Sequence, residues 1–255
     1  MFLWKSIAFG PVYSRRLGYS LGVNLLPTIR KVCNFNCIYC ECGLNDKNAP
    51  KQPLPTIEEF SQEMENTLKE LSSKGQQVDH ITFAGNGEPT LHPKFSEIVD
   101  ITKKLRDKYY PAAKVAILSD AATLKNKQVF KALKRIDKPI MKLDAGTEKT
   151  FQQIDQPETS ITLDEITELL KLFQGRLYIQ TLFLRGSVNG QAIDNTTSKE
   201  IEEWLKRLKQ INPELAMIYS IDREPPYATL EKVPADELAK IAEQVKAIGI
   251  EAEWY

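Results

Sequence analysis

The stretch Cys33-Asn34-Phe35-Asn36-Cys37-Ile38-Tyr39-Cys40-Glu41-Cys42-Gly43 carries all four cysteines of a 255-residue chain. Cys33, Cys37 and Cys40 follow one another with three and then two residues between them, and Cys42 comes close behind. Thiols bunched on one loop can close on a metal or an inorganic cluster without help from distant chain. Three thiolates on a four-iron cluster leave one iron without a protein ligand, free to hold something that reacts. Phe35 and Tyr39, with Asn34 and Asn36, are placed to shield sulfur from water and to offer hydrogen bonds, the levers that set cluster potential.

Three duller readings compete. A disulfide framework suits small secreted domains, whereas a chain this long buries enough apolar surface to need no staples. Structural zinc on all four thiolates ordinarily takes two ligand pairs separated by a longer stretch. Buried cysteines without ligands would be scattered along the chain. The spacing therefore favours a cluster loop over residues 33–43.

Outward from the loop, composition bounds the rest. A hydrophobic share of 42% with 27% charged residues is that of a globular chain with a proper core. Lys plus Arg equals Asp plus Glu at 34 each, so no general attraction to DNA or to a membrane surface is expected. No apolar run approaches the length of a membrane span. The opening, MFLWKSIAFGPVYSRR, places its charge after the apolar residues and lacks a small-residue cleavage site, unlike a signal peptide. Free thiols then point to a reducing cytoplasm.

Before the loop, a strand is expected over Leu21–Leu26, ended by Pro27. After it, helical and strand patterns alternate. Ile57, Phe60, Met64, Leu68 and Leu71 repeat at helical spacing, with Thr56 and Glu59 as a capping box and Gly75 as the stop. Strands are expected at 79–84, 115–119, 139–144, 177–184 and 216–221, with a short one at the C-terminus. Helices are expected from Phe95, over 126–135, from Thr162 to Phe173, from Thr197 to Lys209, and along Leu238, Ile241, Val245 and Ile248. This rhythm makes parallel β/α units, and strands without polar alternation fit a sheet covered on both faces. No linker divides the chain, so 1–255 reads as a single α/β domain.

In such folds ligands gather at the carboxyl ends of the strands. That rule selects Gly85-Asn86-Gly87-Glu88-Pro89, Ser119-Asp120, Lys142 and Asp144, Gln180 with Thr181, and Asp222-Arg223. Lys142 and Asp144 alternate on an otherwise apolar strand and so point the same way. Facing the lumen, they would be the catalytic pair; facing the helices, they would be buried ions in need of partners. Arg15, Arg16 and Arg223, with Asp222, are the candidate substrate contacts, arginine being suited to an anionic group. His80 and His92 read as structural, and Cys42 as a spare thiol.

The cysteine spacing, with an aromatic just before the last cysteine, resembles the signature of the radical S-adenosylmethionine (radical SAM) superfamily. FAGNGEPTLHP downstream resembles that superfamily's glycine–glutamate–proline motif. The leader GPVYSRRLGYSLGVNLLP and the segment MIYSIDREPPY resemble small radical SAM proteins related to the wybutosine-synthesis enzymes. The resemblance runs over nearly the whole chain. It implies a partial (β/α)6 TIM-like barrel, which periodicity alone does not distinguish from an open sheet. It also implies a [4Fe–4S] cluster on Cys33, Cys37 and Cys40, with S-adenosylmethionine bound by its amino and carboxylate groups to the fourth iron. Residues 85–89 would then hold the methionyl amino group, Ser119 and Asp120 the ribose, and Tyr39 the adenine, with Gln180 as a further cofactor contact.

An external electron donor of flavodoxin or ferredoxin type would cleave the sulfonium. The resulting 5′-deoxyadenosyl radical would take a hydrogen atom from a small or RNA-borne substrate, tRNA among the candidates. With only Cys42 left over, a second cluster cannot be built. Two other readings stay open at this point: an activating enzyme that forms a glycyl radical on a partner protein, and a metal-binding module without catalysis.

Overall fold

The computed structural model describes residues 2–255. Ten strands share one sheet system: β1 (Ala8–Ser14), β2 (Gly18–Val23), β3 (His80–Phe83), β4 (Lys114–Ser119), β5 (Lys138–Lys142), β6 (Tyr178–Val188), β7 (Gln191–Asp194), β8 (Leu215–Ser220), β9 (Leu230–Lys232) and β10 (Ala252–Trp254). The path runs β1-β2-β3-β4-β5-β6-β8-β10. From β2 onward every neighbour on that path is parallel. The helices between them are α1 (Ile57–Ser73), α2 (Phe95–Tyr109), α3 (Lys127–Leu133), α4 (Glu148–Ile154), α5 (Leu163–Lys171), α6 (Ser198–Ile211) and α7 (Ala235–Ala247).

Local chemistry places the helix starts. Thr56 and Thr162 each accept from the backbone N–H three residues on, and Glu59 and Glu165 reach back to close capping boxes. Thr197 caps α6 in the same way through the N–H of Glu200. On α1, Phe60, Met64, Leu68 and Leu71 form the buried stripe that the spacing predicts. Each such side chain contributes on the order of 1.5–3 kcal/mol by leaving water.

The sheet curls, because inward side chains from strands that are not neighbours meet. Leu17, Ala116, Ile140 and Met217 form one small buried cluster inside it. The larger core lies on the outer face, where Ile81, Val115, Met141, Ile179 and Ile218 meet the helices.

Two features depart from the expected strands. Residues 8–23 form an antiparallel hairpin, β1 on β2, so the first parallel strand begins at Gly18 and ends at Val23 rather than spanning 21–26. Gly10 and Pro11 mask β1 in the sequence. The hairpin's turn reaches across the curl: the Leu17 carbonyl meets His80 Nδ1 at 2.6 Å. Arg16 Nη1 donates to Gln180 Oε1 on β6 at 2.9 Å, and its guanidinium lies over the Tyr219 ring of β8 at 4.4 Å. Secondly, β6 runs eleven residues and leaves the parallel sheet to pair antiparallel with β7 and β9. Beneath that flap, Leu182, Leu184, Val188, Ile193 and Leu230 pack on Ile38 of the cysteine loop and on Ile154.

Candidate functional site

The cysteine loop is held from two sides. On one, the GNGEP turn lies along its entry: Val32 N–H donates to the Asn86 carbonyl at 2.9 Å, and Glu88 N–H to the Val32 carbonyl at 3.0 Å. Gly87 has φ +133°, and a Cβ there would stand 1.8 Å from the Val32 carbonyl oxygen. Only glycine permits that approach. On the other side, the end of α4 carries the loop. Asn36 N–H donates to the Asp155 carbonyl at 3.0 Å and Ile38 N–H to the Ile154 carbonyl at 2.9 Å, while Phe35 packs edge-on against Phe151.

Two of the three predicted ligand thiols rest on buried carboxylates. Cys37 Sγ lies 3.4 Å from Asp155 Oδ1, and Cys33 Sγ 3.6 Å from Asp120 Oδ2. Burial holds both thiols well above the ordinary cysteine value. Cys40 differs. A hydrogen bond from Cys42 lowers it to about 5, with burial opposing and Lys31 assisting. Cys42 also lies within hydrogen-bonding reach of the Gly85 carbonyl, at 3.3 Å.

Lys142 and Asp144 face the lumen. The Lys142 ammonium sits 2.6 Å from Asp144 Oδ2 and 3.4 Å from Asp155 Oδ1, so it bridges the strand pair to the cysteine loop. Tyr39 completes the group, accepting from Lys142 and donating to Asp144. Burial works against the Lys142 charge, but Asp144, Cys37, Tyr39 and Asp155 together hold it far on the protonated side. Burial pushes Asp155 up to about 7 despite Lys142. Asp144 is fixed in turn by the Leu182 N–H at 2.9 Å, and the Asn195 amide spans the Asp144 and Leu182 carbonyls at 2.8 Å each.

Glu88 is buried at the end of the GNGEP turn. It accepts from Thr90 N–H at 3.1 Å, Ser119 Oγ at 3.0 Å and Asp120 N–H at 2.7 Å, tying the segments that follow β3 and β4 together. Burial, and then the Asp120 carboxylate beside it, push Glu88 up to about 8 from 4.5. The folded chain therefore keeps a proton here, between those two values, that the unfolded chain releases. Stability from this group is complete below pH 4.5 and falls as pH rises toward 8. The fall is on the order of 4 kcal/mol over the whole window. Urea midpoints of the cluster-free protein across that window should decline, and Glu88→Gln should flatten the decline. An equal slope in both proteins would contradict the assignment.

The sequence-selected residues separate into those that share the lumen and those that do not. Cys33, Cys37, Cys40, Tyr39, Glu88, Asp120, Lys142, Asp144 and Gln180 are linked around it, as described. Ser119 reaches it only through Glu88. The Asn86 amide donates to the Trp4 and Pro27 carbonyls at 2.9 and 2.8 Å, and its side-chain oxygen accepts from Trp4 N–H at 2.9 Å. With its carbonyl accepting from Val32 N–H as well, Asn86 holds the turn in place. Arg15, Asp222 and Arg223 lie in exposed ion pairs. Arg15 pairs with Asp222 at 3.4 Å and Arg223 with Glu41 at 2.6 Å, all at the surface. Their charges are satisfied by each other and by the loop. Asp120 caps no helix; its Oδ1 accepts from Ala122 N–H at 2.9 Å, and Asn126 caps α3. His80 and His92 are structural, His92 Nε2 lying 2.9 Å from the Pro55 carbonyl.

Asp155, Asn195 and Lys31 went unselected. Asp155 follows α4, whose Thr147 cap and Phe151/Ile154 spacing were legible but too short to stand out. Lys31 is buried just ahead of Cys33 and donates to the Gly43 carbonyl at 3.2 Å.

Comparison with known proteins gives a consistent picture. A family model described as the Radical SAM superfamily matches residues 28–187. A UPF0026 protein of Helicobacter pylori is 34% identical over 237 residues, covering 92% of this chain and 72% of that one. Among solved structures, a radical SAM methyltransferase from Sphaerobacter thermophilus aligns with a TM-score of 0.66 at 13% identity, over 92% of this chain and 65% of that one. An archaeal TYW1 aligns with a TM-score of 0.52 at 12% identity, over 89% of this chain and 71% of that one. At these identities the structural likeness is one of fold, and it matches the curled, mostly parallel sheet to a partial barrel. Among the described residues, no helix is long and apolar enough to cross a membrane.

Proposed function

The chain belongs to the radical SAM superfamily, and from that premise we propose that Cys33, Cys37 and Cys40 hold a [4Fe–4S] cluster whose open iron takes S-adenosylmethionine. The radical chemistry then acts on a substrate in the barrel lumen. One observation carries the reading: the cysteine loop, the GNGEP turn and the inward Lys142–Asp144 pair are hydrogen-bonded into a single cluster at the strand ends. Among the described residues, no three His, Cys, Asp or Glu side chains are grouped as a single ion requires. A four-iron cube asks for something else, since each thiolate takes a different iron and the sulfurs stand apart. When bound, such a cluster supplies one electron to the sulfonium, releasing methionine and a 5′-deoxyadenosyl radical.

The chain's own residues supply position and shelter. Gly85, Gly87, Glu88 and Pro89 present the turn, with Asn86 as its anchor, and Ser119 and Asp120 stand beside it for the ribose. Tyr39 and Gln180 line the space between that turn and the lumen. Lys142 and Asp144 are the polar pair nearest the reacting end, and their burial keeps water from competing. Arg16 is the substrate contact. Its guanidinium donates to the neutral Gln180 and lies over the Tyr219 ring, with no carboxylate within ion-pair distance among the described residues. That leaves its charge for an anionic substrate group, whether on a small molecule or on RNA. Radical SAM enzymes draw the electron from outside, here from a flavodoxin- or ferredoxin-like donor. The shared sheet supports residues 1–255 acting as one domain.

The test is oxygen-free reconstitution followed by reduction in the presence of S-adenosylmethionine. Formation of 5′-deoxyadenosine is expected, stimulated by a cell extract that contains the substrate. Treating the extract with ribonuclease separates an RNA-borne substrate from a small one. Arg16→Ala should keep unstimulated formation within about twofold and lose at least about tenfold of the stimulation, as expected for one charge-assisted contact. Undiminished stimulation would remove Arg16 from the substrate site.

A further inference from the structure

The sheet begins at β1 and ends at β10, and those two edges are not paired, so the curl is open along one side. The hairpin turn between β1 and β2 and the cysteine loop flank this seam from the first edge. β8 and the segment after it, residues 221–229, flank it from the last. Among the described residues no backbone hydrogen bond joins the hairpin to β8 or to that segment. Side chains alone close the seam, and they do so in two layers. Near the floor the contact is apolar and buried: Leu17 and Met217 share one cluster, with Arg16 over the Tyr219 ring beside it. At the surface the contact is ionic. Arg15 meets Asp222 at 3.4 Å and Arg223 meets Glu41 at 2.6 Å, all four side chains being 45–62% exposed. Lys232, on the same side of the seam as Asp222, reaches it at 3.6 Å.

We infer that the two ion pairs are a latch: they hold the open side of the barrel shut in the free protein, and a substrate with a compact group of several negative charges opens it by taking Arg15 and Arg223 from Asp222 and Glu41. This rests on the reading of the lumen as the substrate site. The other boundaries are packed. The Leu17 cluster fills the floor, helices cover the outer face, and the cysteine loop is bonded to the GNGEP turn and to the end of α4. The strap that carries Asp222 and Arg223 hangs between Ile221 and Tyr227, which pack on the cluster beneath the flap. Asp222, Arg223 and Glu224 are themselves exposed, so the strap can lift without unmaking the core. Exposed ion pairs hold it only weakly, and salt screens them. A ligand shifts such an equilibrium only by binding one form better than the other. In the closed form Arg15 and Arg223 are occupied by the chain's own carboxylates. In the open form they stand with Arg16 as three cations at one mouth, which favours a polyanion over a singly charged group.

The experiment measures the width of the seam in the full chain. Tyr13 and Glu224, both exposed and on opposite sides of it, take the changes Tyr13→p-acetylphenylalanine and Glu224→p-acetylphenylalanine. Spin labels are attached through the ketones, which leaves the cysteines untouched, and double electron–electron resonance reads their separation. At low salt the labelled parent should give one dominant short distance. Sodium chloride at about 1 M, where the screening length falls to about 3 Å, should add a longer one. Asp222→Asn with Arg223→Gln at low salt should do the same, raising the longer share about two- to thirtyfold, the range that two exposed pairs supply. Tripolyphosphate should open the parent further than chloride at equal ionic strength, and should lose that advantage in Arg15→Gln with Arg223→Gln. A separation unmoved by salt and by the substitutions overturns the latch, and the salt series needs no variant of the pairs. Equal effects of chloride and tripolyphosphate on the parent overturn the polyanion. The measurement needs neither iron nor turnover, so a parent that assembles no cluster defeats the functional reading separately.

Discussion

Alanine at Cys33, Cys37 or Cys40 is expected to remove bound iron and to bring 5′-deoxyadenosine formation down to the level of buffer, whereas Cys42→Ala is expected to weaken both without abolishing either. The distinction comes from what each sulfur touches. Cys33 and Cys37 lie against the Asp120 and Asp155 carboxylates, and Cys40 is the sulfur favoured as thiolate by Cys42 and Lys31. With only four cysteines in the chain, losing one of three ligands leaves no route to the same coordination. Cys42 donates to the Gly85 carbonyl, so it supports the turn beside the ligands instead of being one. Losing such an outer partner ordinarily costs about 10–100-fold in metal affinity or activity, short of abolition. Iron content with product chromatography on the four variants checks this. Equal loss in Cys42→Ala would make all four thiols ligands and return the zinc-type reading to contention.

Lys142→Met is expected to lower the stability of the protein by about 3–5 kcal/mol. The side chain is nearly buried, between an Asp144 carboxylate with no solvent exposure and an Asp155 carboxylate with almost none. Removing the cation leaves two carboxylates sharing an apolar space, and Tyr39 loses a donor. Adding Asp144→Asn to Lys142→Met removes one of the stranded charges and should recover part of the loss. The two changes are then non-additive, as expected for groups in contact. Urea unfolding of the parent, both single variants and the double variant closes the cycle. A loss in Lys142→Met below about 1 kcal/mol, the range of an exposed pair, would mean that the lumen is wetter than its burial shows.

Much of the architecture was legible because several helix starts carry their own capping chemistry. Thr56/Glu59, Thr162/Glu165 and Thr197 all cap where their spacing places them. The strands between them are short apolar runs that only a covered parallel sheet explains. That Lys142 and Asp144 point the same way followed from alternation on β5 and its end; alternation alone did not say whether that way is inward. What stayed hidden depends on contacts between distant parts of the chain. β1 pairs only because β2 offers it an edge, and Gly10 with Pro11 makes it read as loop. Nothing near Asn86 in sequence shows that its side chain serves Trp4 and Pro27, both far off along the chain. Lys31 carries no local signal and Asp155 only that of a helix too short to stand out; burial beside the cysteines is what distinguishes them, and burial is a property of the fold.

The most direct test is electron paramagnetic resonance of the reduced, oxygen-free protein with and without S-adenosylmethionine. The expected result is one [4Fe–4S] signal per chain, dependent on Cys33, Cys37 and Cys40, whose shape changes when S-adenosylmethionine reaches the open iron. A protein that assembles no such cluster with those cysteines intact, or a signal indifferent to S-adenosylmethionine, would contradict it.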